Sequence, residues 1–364
     1  NMNVNEVIAN RAIEILGGKK GDYTLISPNS HVNMSQSTND VFPTAVRIAI
    51  LKLVKSLLAE LEHLHEALLK KSEEFDDVIK MGRTHLQDAV PIRLGQEFGA
   101  YARVINRDLL RIKTASEALK EVNIGATAVG TGLNAQIEYI ESTIENLRKI
   151  SGFQVYSAED LVDATQNVDT LAAFSGSLKI LGLNLSKIAN DLRLMASGPR
   201  AGLHEINLPP VQPGSSIMPG KVNPVMAEVV NQVAFQVMGN DHTVALVAQA
   251  GQFELNVMEP VMVFNIIQSI EILTNVIKVF REKCIMGITA NRERCQDMVN
   301  RSVGIITALV PHIGYEGASK LAKEVIISGK SVPEIILEKS ILTPEETKVI
   351  LSPQNMTQPI YSHR

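Results

Sequence analysis

The segment QPGSSIMPGKVNPVMAE, residues 212–228, concentrates residue types that can bind an anion and move a proton. Ser215 and Ser216 supply adjacent hydroxyls. Lys221 supplies a positive charge and Asn223 an amide, which together suit a small anionic substrate such as a carboxylate. Because glycines and prolines surround these side chains, the segment could act as a mobile lid over bound substrate. A mobile surface loop with a solvated lysine is the alternative interpretation.

The same segment does not match a phosphate-binding P-loop, which requires the pattern GxxxxGK[S/T]. Gly214 lies one residue too far from Gly220. Lys221 is followed by Val222 where the pattern requires a hydroxyl, and Pro219 lacks an amide that a phosphate cradle would use. We therefore exclude a P-loop here.

Two other polar segments lie beside helical patterns. Ser37, Thr38 and Asn39 place two hydroxyls and an amide just before a helix, where free amides and the helix dipole attract anions. Helix capping alone would also explain these residue types. Thr84 precedes His85, whose imidazole can donate or accept a proton near neutral pH. A structural histidine in a solvated loop is the other interpretation of that pair.

A glycine-rich segment, GATAVGTGLNA, nearly matches a dinucleotide-binding fingerprint through Gly130, Gly132 and Ala135. Such a fingerprint must follow a strand and open a βαβ unit. Helical patterns flank this one instead, so we interpret its glycines as positions of tight backbone packing or of close approach to a ligand.

Helical periodicity dominates the rest of the chain. Apolar residues recur at spacings of three and four, which predicts long helices with coiled-coil-like seams and an all-α fold built on a central helix bundle. A further long helix is expected from about Val225 to Gln249. The seams are Ile50, Val54, Leu57, Leu61, Leu64 and Leu68; Phe98, Tyr101, Ile105, Leu109, Ile112 and Leu119; Leu171, Phe174, Leu178, Leu181, Leu185, Ile188, Leu192 and Met195; and Ile266, Ile270, Leu273, Ile277 and Phe280.

We expect three domains along the chain. Residues 1–37 would be the remainder of an N-terminal domain, residues 38–293 the central helical bundle domain, and residues 294–364 a small C-terminal helical domain. Two short helices are predicted in the last of these, because Ser331 and Thr343 each begin a capping-box pattern.

Composition limits the expected partners. The 364 residues carry a net charge of −4 without a basic block, so we do not expect nucleic acid. We expect no membrane partner, because no apolar run stands out as long enough to span a bilayer. With only two cysteines, a disulfide framework or a cysteine-based zinc site is not expected. No secretory leader pattern is visible, and we expect a cytoplasmic protein.

Blocks along the whole chain resemble signatures of the aspartase/fumarase superfamily. The resemblance is greatest to members that act on L-aspartate, because Thr38 stands where fumarases usually carry a serine, and fumarases tend to have an arginine near Glu259. The resembling blocks are NVNEVIANRA, SQSTNDVFPTA, MGRTHLQDAVP, GATAVGTGLN, NDLRLMASGPRAGLHEI, GSSIMPGKVNPVMAEVVNQV and GQFELNVMEPV.

The resemblance implies a reversible ammonia-lyase reaction that converts L-aspartate to fumarate and ammonia. A base removes a proton from the carbon next to the β-carboxylate, charge builds on that carboxylate as an enediolate, and the amine leaves. The resemblance implies no organic cofactor, and the sequence shows no dedicated metal cage, so we expect no metal. It also implies a homotetramer in which each active site takes loops from three subunits.

By the same resemblance, Ser215 is the base, and backbone amides of its own loop should surround it to stabilise the alkoxide. The catalytic group is Ser215, His85 and Lys221. The resemblance also implies which groups bind the substrate. The β-carboxylate would be bound by Ser37, Thr38 and Ser216, and the α-carboxylate by Lys221 and Asn223. The amino group would lie near Asn39, Thr84 and His85, and Glu228 would orient His85.

Two alternatives stay open. A fumarate hydratase uses the same scaffold with water in place of ammonia. A non-catalytic structural protein or fragment is the other alternative, since this fold has been reused as a lens crystallin. Family members also carry a further N-terminal region ending in a GTS-like motif, whose threonine contributes to carboxylate binding. We therefore interpret the sequence as an N-terminally truncated member.

Overall fold

The structure, a computed structural model, describes residues 1–359 without the side chains of Pro353 and Gln354. The helices are α1 (Met2–Ile15), α2 (Thr38–Glu74), α3 (Leu94–Glu117), α4 (Ile137–Ser151), α5 (Leu161–Gln166), α6 (Asp169–Met195), α7 (Val225–Gln249), α8 (Glu259–Lys283), α9 (Arg292–Arg301), α10 (Val310–Ser328), α11 (Val332–Glu338), α12 (Pro344–Ile350) and α13 (Pro353–Met356). The strands are β1 (Ile79–Thr84), β2 (Gln87–Arg93), β3 (Glu121–Val122), β4 (Tyr156–Ser157), β5 (Ile206–Asn207) and β6 (Thr289–Ala290). One π-helical turn covers Pro28–Val32, and 3₁₀ turns cover Ala118–Lys120, Ile285–Gly287 and Val303–Leu309.

The longest helices of the described range, α2, α3, α6, α7 and α8, are those that the sequence predicts. α7 begins at Val225 and ends at Gln249, as expected. The seam residues are buried, and Leu57, Leu61 and Leu64 of α2 are fully so. The predicted all-α fold with a bundle of long helices is therefore confirmed.

The chain divides into two compact units, which we call unit 1 and unit 2. The predicted three-domain division stays a prediction. Unit 1 contains Asn1–Leu61, Arg107–Leu183 and Gln232–Val276, and unit 2 contains Glu62–Asn106, Asn184–Asn231 and the chain from Ile277 onward.

Residues 79–93 form a β-hairpin, which the helical patterns of the sequence do not predict. β1 pairs antiparallel with β2, and the register shifts between Met81 and Arg83, where Gly82 alone faces two residues of β2. A Cβ on Gly82 would lie 2.5 Å from the carbonyl oxygen of Val90, so this close approach requires glycine. The shift interrupts the alternation by which a strand is recognised in sequence.

Ser37 caps the first turn of α2. The Ser37 hydroxyl accepts a hydrogen bond from the Asn39 amide at 3.2 Å. The Ser37 amide donates to the Asp40 carboxylate at 2.9 Å. This reciprocal pair has the arrangement of a capping box, and it fixes the direction in which the chain enters the helix.

A proline suits the first turn of a helix, but Pro43 lies further inside α2. A proline has no amide to donate to the carbonyl four residues earlier, which here belongs to Asn39. The side chain of Asn123 donates to that carbonyl at 3.0 Å instead. The helix therefore continues through the proline without leaving a buried acceptor unpaired.

One helical segment of the described range, Glu259–Gly287, is long and apolar enough to cross a membrane by length and composition. By this criterion, the expectation that no apolar run is long enough to span a bilayer is wrong. Met262, Ile266 and Ile270 on its apolar face are buried inside unit 1. A core helix of a soluble protein passes the same test.

Glu259, the first residue of α8, is 4% exposed, and its Oε2 atom has no hydrogen-bond partner in the described structure. Burial raises the pKa of this carboxyl to about 7, against the opposing charge of Arg47. A buried carboxyl of this kind is held more favourably when it is protonated.

We expect the free energy of unfolding to fall as the pH rises from 4.5 to about 7, because native Glu259 keeps a proton that the unfolded chain releases. The decrease in the free energy of unfolding should approach about 3 kcal/mol. Chemical denaturation between pH 5 and pH 8 measures it. Glu259→Gln should flatten the profile, whereas the same change at the exposed Glu254 should not. A Glu259→Gln profile that matches the wild type would contradict the assignment.

Candidate active site

The segment that precedes α7 folds back on itself around Ser215. The Ser215 hydroxyl accepts hydrogen bonds from the backbone amides of Ile217 at 3.3 Å and Met218 at 3.2 Å. The Ser215 amide donates to the carbonyl of Lys221 at 3.0 Å, and the Lys221 amide donates to that of Met218 at 3.1 Å. These bonds close a loop in which two amides converge on one hydroxyl.

Two converging amides change what the Ser215 hydroxyl can do. Backbone N–H groups that point at an oxygen stabilise its negatively charged form, so they favour an alkoxide. Gly220 has a φ of +81°, in the left-handed region that suits glycine, and allows the turn that returns the chain to Lys221. Ser216 follows directly and is exposed. Backbone amides around the hydroxyl are the support that a serine base requires.

A cleft of about 710 Å³ lies within unit 2 beside this loop, and Lys221 and Asn223 line it. Arg193 and His204 line the same cleft. Arg193 donates to the side chain of Asn231 at 3.0 Å, which holds its guanidinium in place. With two cations, of which Arg193 is held by Asn231, and an amide, the cleft is suited to a carboxylate.

The last residue of β1, Thr84, and the first residue of its connection to β2, His85, are both exposed. The two residues of this connection, His85 and Leu86, have φ values of +52° and +60°. Two-residue connections with two positive φ values are typical of type I′ hairpin turns, which usually contain asparagine and glycine. A histidine and a leucine are strained in this conformation.

In unit 1, Ser37, Thr38 and Asn39 lie at the N-terminal end of α2, next to the turn that contains Thr127 and Ala128. The Asn39 side chain donates to the carbonyl of Ala128 at 2.7 Å. These residues therefore have a defined position at a helix N-terminus, where the helix dipole favours a bound anion.

Asp40 is the anchor of this arrangement, and sequence reasoning missed that role. Its side chain is fully buried and accepts hydrogen bonds from the amides of Gly125 at 3.2 Å and Thr127 at 2.9 Å. Burial raises the pKa of the Asp40 carboxyl, and these backbone hydrogen bonds oppose the rise. The glycines in this turn serve tight packing, because a Cβ on Gly130 would lie 2.3 Å from the backbone of Val162.

The structure thus gathers the predicted residues into three groups. Ser37–Asn39 belong to unit 1, whereas Thr84–His85 and Ser215–Asn223 belong to unit 2. Glu228 is exposed in the first turn of α7, and its action on His85 stays a prediction.

Comparison with known proteins identifies the family. The family described as "Lyase" matches residues 1–239, which is well over half of the chain. The chain belongs to this lyase family. A second description, "Fumarase C C-terminus", matches residues 305–358 of the same lyase chain.

Individual members of the family agree with this assignment. The aspartate ammonia-lyase of Bacillus subtilis is 61% identical over 359 residues, which cover 99% of this lyase and 76% of the relative. A structure of fumarate lyase:delta crystallin from Brucella melitensis, bound to cobalt, has a TM-score of 0.95 and 49% identity, covering 98% of this lyase and 77% of that chain. A structure of a class II fumarase from Schistosoma mansoni has a TM-score of 0.91 and 36% identity, and the match covers 100% of this lyase and 78% of that chain.

We expect Leu86→Gly to raise the free energy of unfolding by about 0.5–1 kcal/mol, because glycine adopts the left-handed turn without strain. Leu86 is 69% exposed, so little packing is lost. The matched control is Leu110→Gly in α3, 64% exposed, which should lower stability by roughly 1 kcal/mol. Thermal unfolding of both variants makes the comparison, and a loss of stability in Leu86→Gly would argue against strain in the turn.

Proposed function

We propose that this lyase catalyses the reversible deamination of L-aspartate to fumarate and ammonia, and that it is a carbon–nitrogen lyase. The chain is 61% identical to an aspartate ammonia-lyase and 36% identical to a class II fumarase, which favours ammonia over water as the leaving group. The structural observation that carries the mechanism is the pair of backbone amides on the Ser215 hydroxyl.

In the first step, the Ser215 alkoxide removes a proton from the carbon next to the β-carboxylate. The O–H bond forms as the C–H bond breaks, and the electron pair moves into the β-carboxylate as an enediolate. The amides of Ile217 and Met218 support this role because they stabilise the alkoxide before it reacts.

The enediolate carries more negative charge than the substrate, so fixed donors and cations must surround both carboxylates. Lys221 and Asn223, which line the cleft of about 710 Å³ in unit 2, bind the α-carboxylate. Ser37, Thr38 and Ser216 bind the β-carboxylate. The location of Ser37 and Thr38 at the N-terminal end of α2 supports this role, because the helix dipole favours negative charge there.

In the second step, the enediolate collapses, the C–N bond breaks, and ammonia leaves with the electron pair of that bond. Asn39, Thr84 and His85 lie around the amino group in this proposal. Glu228 would orient His85 by accepting a hydrogen bond from its ring. The hairpin turn supports the role of His85, because strained backbone is often found at working residues.

The proposal includes a soluble, cytoplasmic homotetramer whose active sites take residues from three subunits. Large apolar side chains on α7 and α8 support an assembly, because Phe235 is 61% exposed and Phe264 is 63% exposed. Exposed aromatic residues of this size are typical of protein interfaces.

The ultraviolet absorbance of fumarate tests the proposed reaction. The purified chain is mixed with L-aspartate and, separately, with L-malate. Absorbance should rise with L-aspartate alone. A rise with L-malate alone would replace the proposal with fumarate hydratase activity, and no rise with either substrate would contradict catalysis by residues 1–364.

Lys221→Ala should raise the KM for L-aspartate by at least about tenfold, because it removes a cation from the α-carboxylate. The control is Lys149→Ala, which removes an exposed lysine of α4 that pairs with Glu145 in unit 1. Initial-rate kinetics measure both variants. An unchanged KM in Lys221→Ala would exclude Lys221 from carboxylate binding.

A further inference from the structure

The His85 turn needs support from outside itself. Both of its central residues are strained, and both are exposed, so packing at the turn cannot offset the strain. On the β2 side, the Ser302 hydroxyl donates to the Asp88 carboxylate at 2.9 Å. The corresponding support on the β1 side comes from charged residues beneath the hairpin.

The Glu205 carboxylate contacts two cationic side chains of β1. Its Oε1 atom accepts a hydrogen bond from the Arg83 guanidinium at 2.6 Å, and its Oε2 atom lies 3.1 Å from the Lys80 ammonium. The Glu205 side chain is fully buried, the Lys80 side chain is 4% exposed, and the Arg83 side chain is 15% exposed. Arg83 is the residue directly before Thr84, so this contact reaches the end of the strand from which the turn projects.

A second carboxylate balances the charge of this cluster. The Lys80 ammonium also donates to both oxygens of Glu97, at 2.9 and 3.1 Å. Two cations therefore face two carboxylates in a largely buried cluster, where losing one charge leaves another uncompensated. The cluster borders a cleft of about 290 Å³ that Leu86 of the turn also lines.

The backbone of Glu205 is fixed from two directions. Its amide donates to the carbonyl of Met195 at 2.9 Å, and its carbonyl accepts from the amide of Asn291 at 2.9 Å. Met195 ends α6, and Asn291 precedes α9. The carboxylate is thus held on a rigid frame, and the ends of Lys80 and Arg83 are held on the carboxylate.

We propose that Glu205 is a positioning residue, whose carboxylate holds Lys80 and Arg83 and so fixes the end of β1 from which Thr84 and His85 project. Glu205 acts through these two cations. Since an error of about 1 Å in the placement of a reacting group can cost about a hundredfold in rate, loosening this contact should lower turnover. The inference rests on the proposed function only for its kinetic readout.

The test compares Glu205→Gln, which keeps the shape and removes the charge, with Glu205→Asp, which keeps the charge at a shorter reach. With L-aspartate, Glu205→Gln should lower kcat by about tenfold to a hundredfold. KM should stay within about threefold, because Lys221 and Asn223 are untouched. The kcat of Glu205→Asp should lie between those of Glu205→Gln and the wild type. Hydrogen-exchange mass spectrometry of residues 79–93 should show faster exchange in Glu205→Gln, and this readout does not depend on activity.

Lys71→Met is the control for general destabilisation. Lys71 is another buried cation of unit 2, and it donates to the Ile288 carbonyl at 2.8 Å and to Glu74 at 2.7 Å. Its loss should lower the denaturation midpoint, because two acceptors lose their donor. It should leave kcat and the exchange of residues 79–93 unchanged.

Unchanged kcat or unchanged hairpin exchange in folded Glu205→Gln would overturn the proposal. If that variant does not fold, Arg83→Met breaks the same contact from a partly exposed side chain. It must then give the same loss of kcat and the same faster exchange, and normal values would overturn the proposal. An inactive wild type would instead contradict the proposed function, while the exchange measurement would still decide the role of Glu205.

Discussion

A carboxylate that is removed from water must be compensated by hydrogen-bond donors or cations, and this constraint fixes segments that carry candidate active-site residues. In unit 1, Asp40 is compensated by backbone amides such as that of Thr127. In unit 2, Glu205 is compensated by Lys80 and Arg83. In both units the compensating groups lie in or beside a segment with candidate active-site residues, so the interaction that satisfies the charge also positions that segment.

The long helices and the loops have different tasks in this structure. Apolar seams, such as the fully buried Leu61 and Leu64 of α2, supply burial and stiffness. The polar groups proposed to contact substrate lie at helix ends and between helices, where the backbone offers free amides. The two backbone donors to the Ser215 hydroxyl both come from its own loop. Such a loop can close over a substrate without losing the groups that stabilise its alkoxide.

Local patterns in the sequence predict the helices well, and the long-range contacts explain what they miss. The capping boxes at Ser331 and Thr343 form as predicted, because their partners are three residues away. The hairpin escapes prediction because Gly82 faces two residues and interrupts the strand alternation. The roles of Asp40 and Glu205 are also not predicted, because their partners Thr127 and Arg83 lie 87 and 122 residues away in the chain. No local spacing can indicate contacts of that kind.

The proposed mechanism depends on Ser215, which is activated by the amides of its own loop and removes the proton from L-aspartate. The most direct test is the rate of fumarate formation by Ser215→Ala, with Ser142→Ala on the exposed face of α4 as the matched control. The rate should fall by at least roughly a thousandfold in Ser215→Ala, with an unchanged oligomer by size-exclusion chromatography and a normal rate in the control. A near-normal rate in Ser215→Ala would contradict this mechanism.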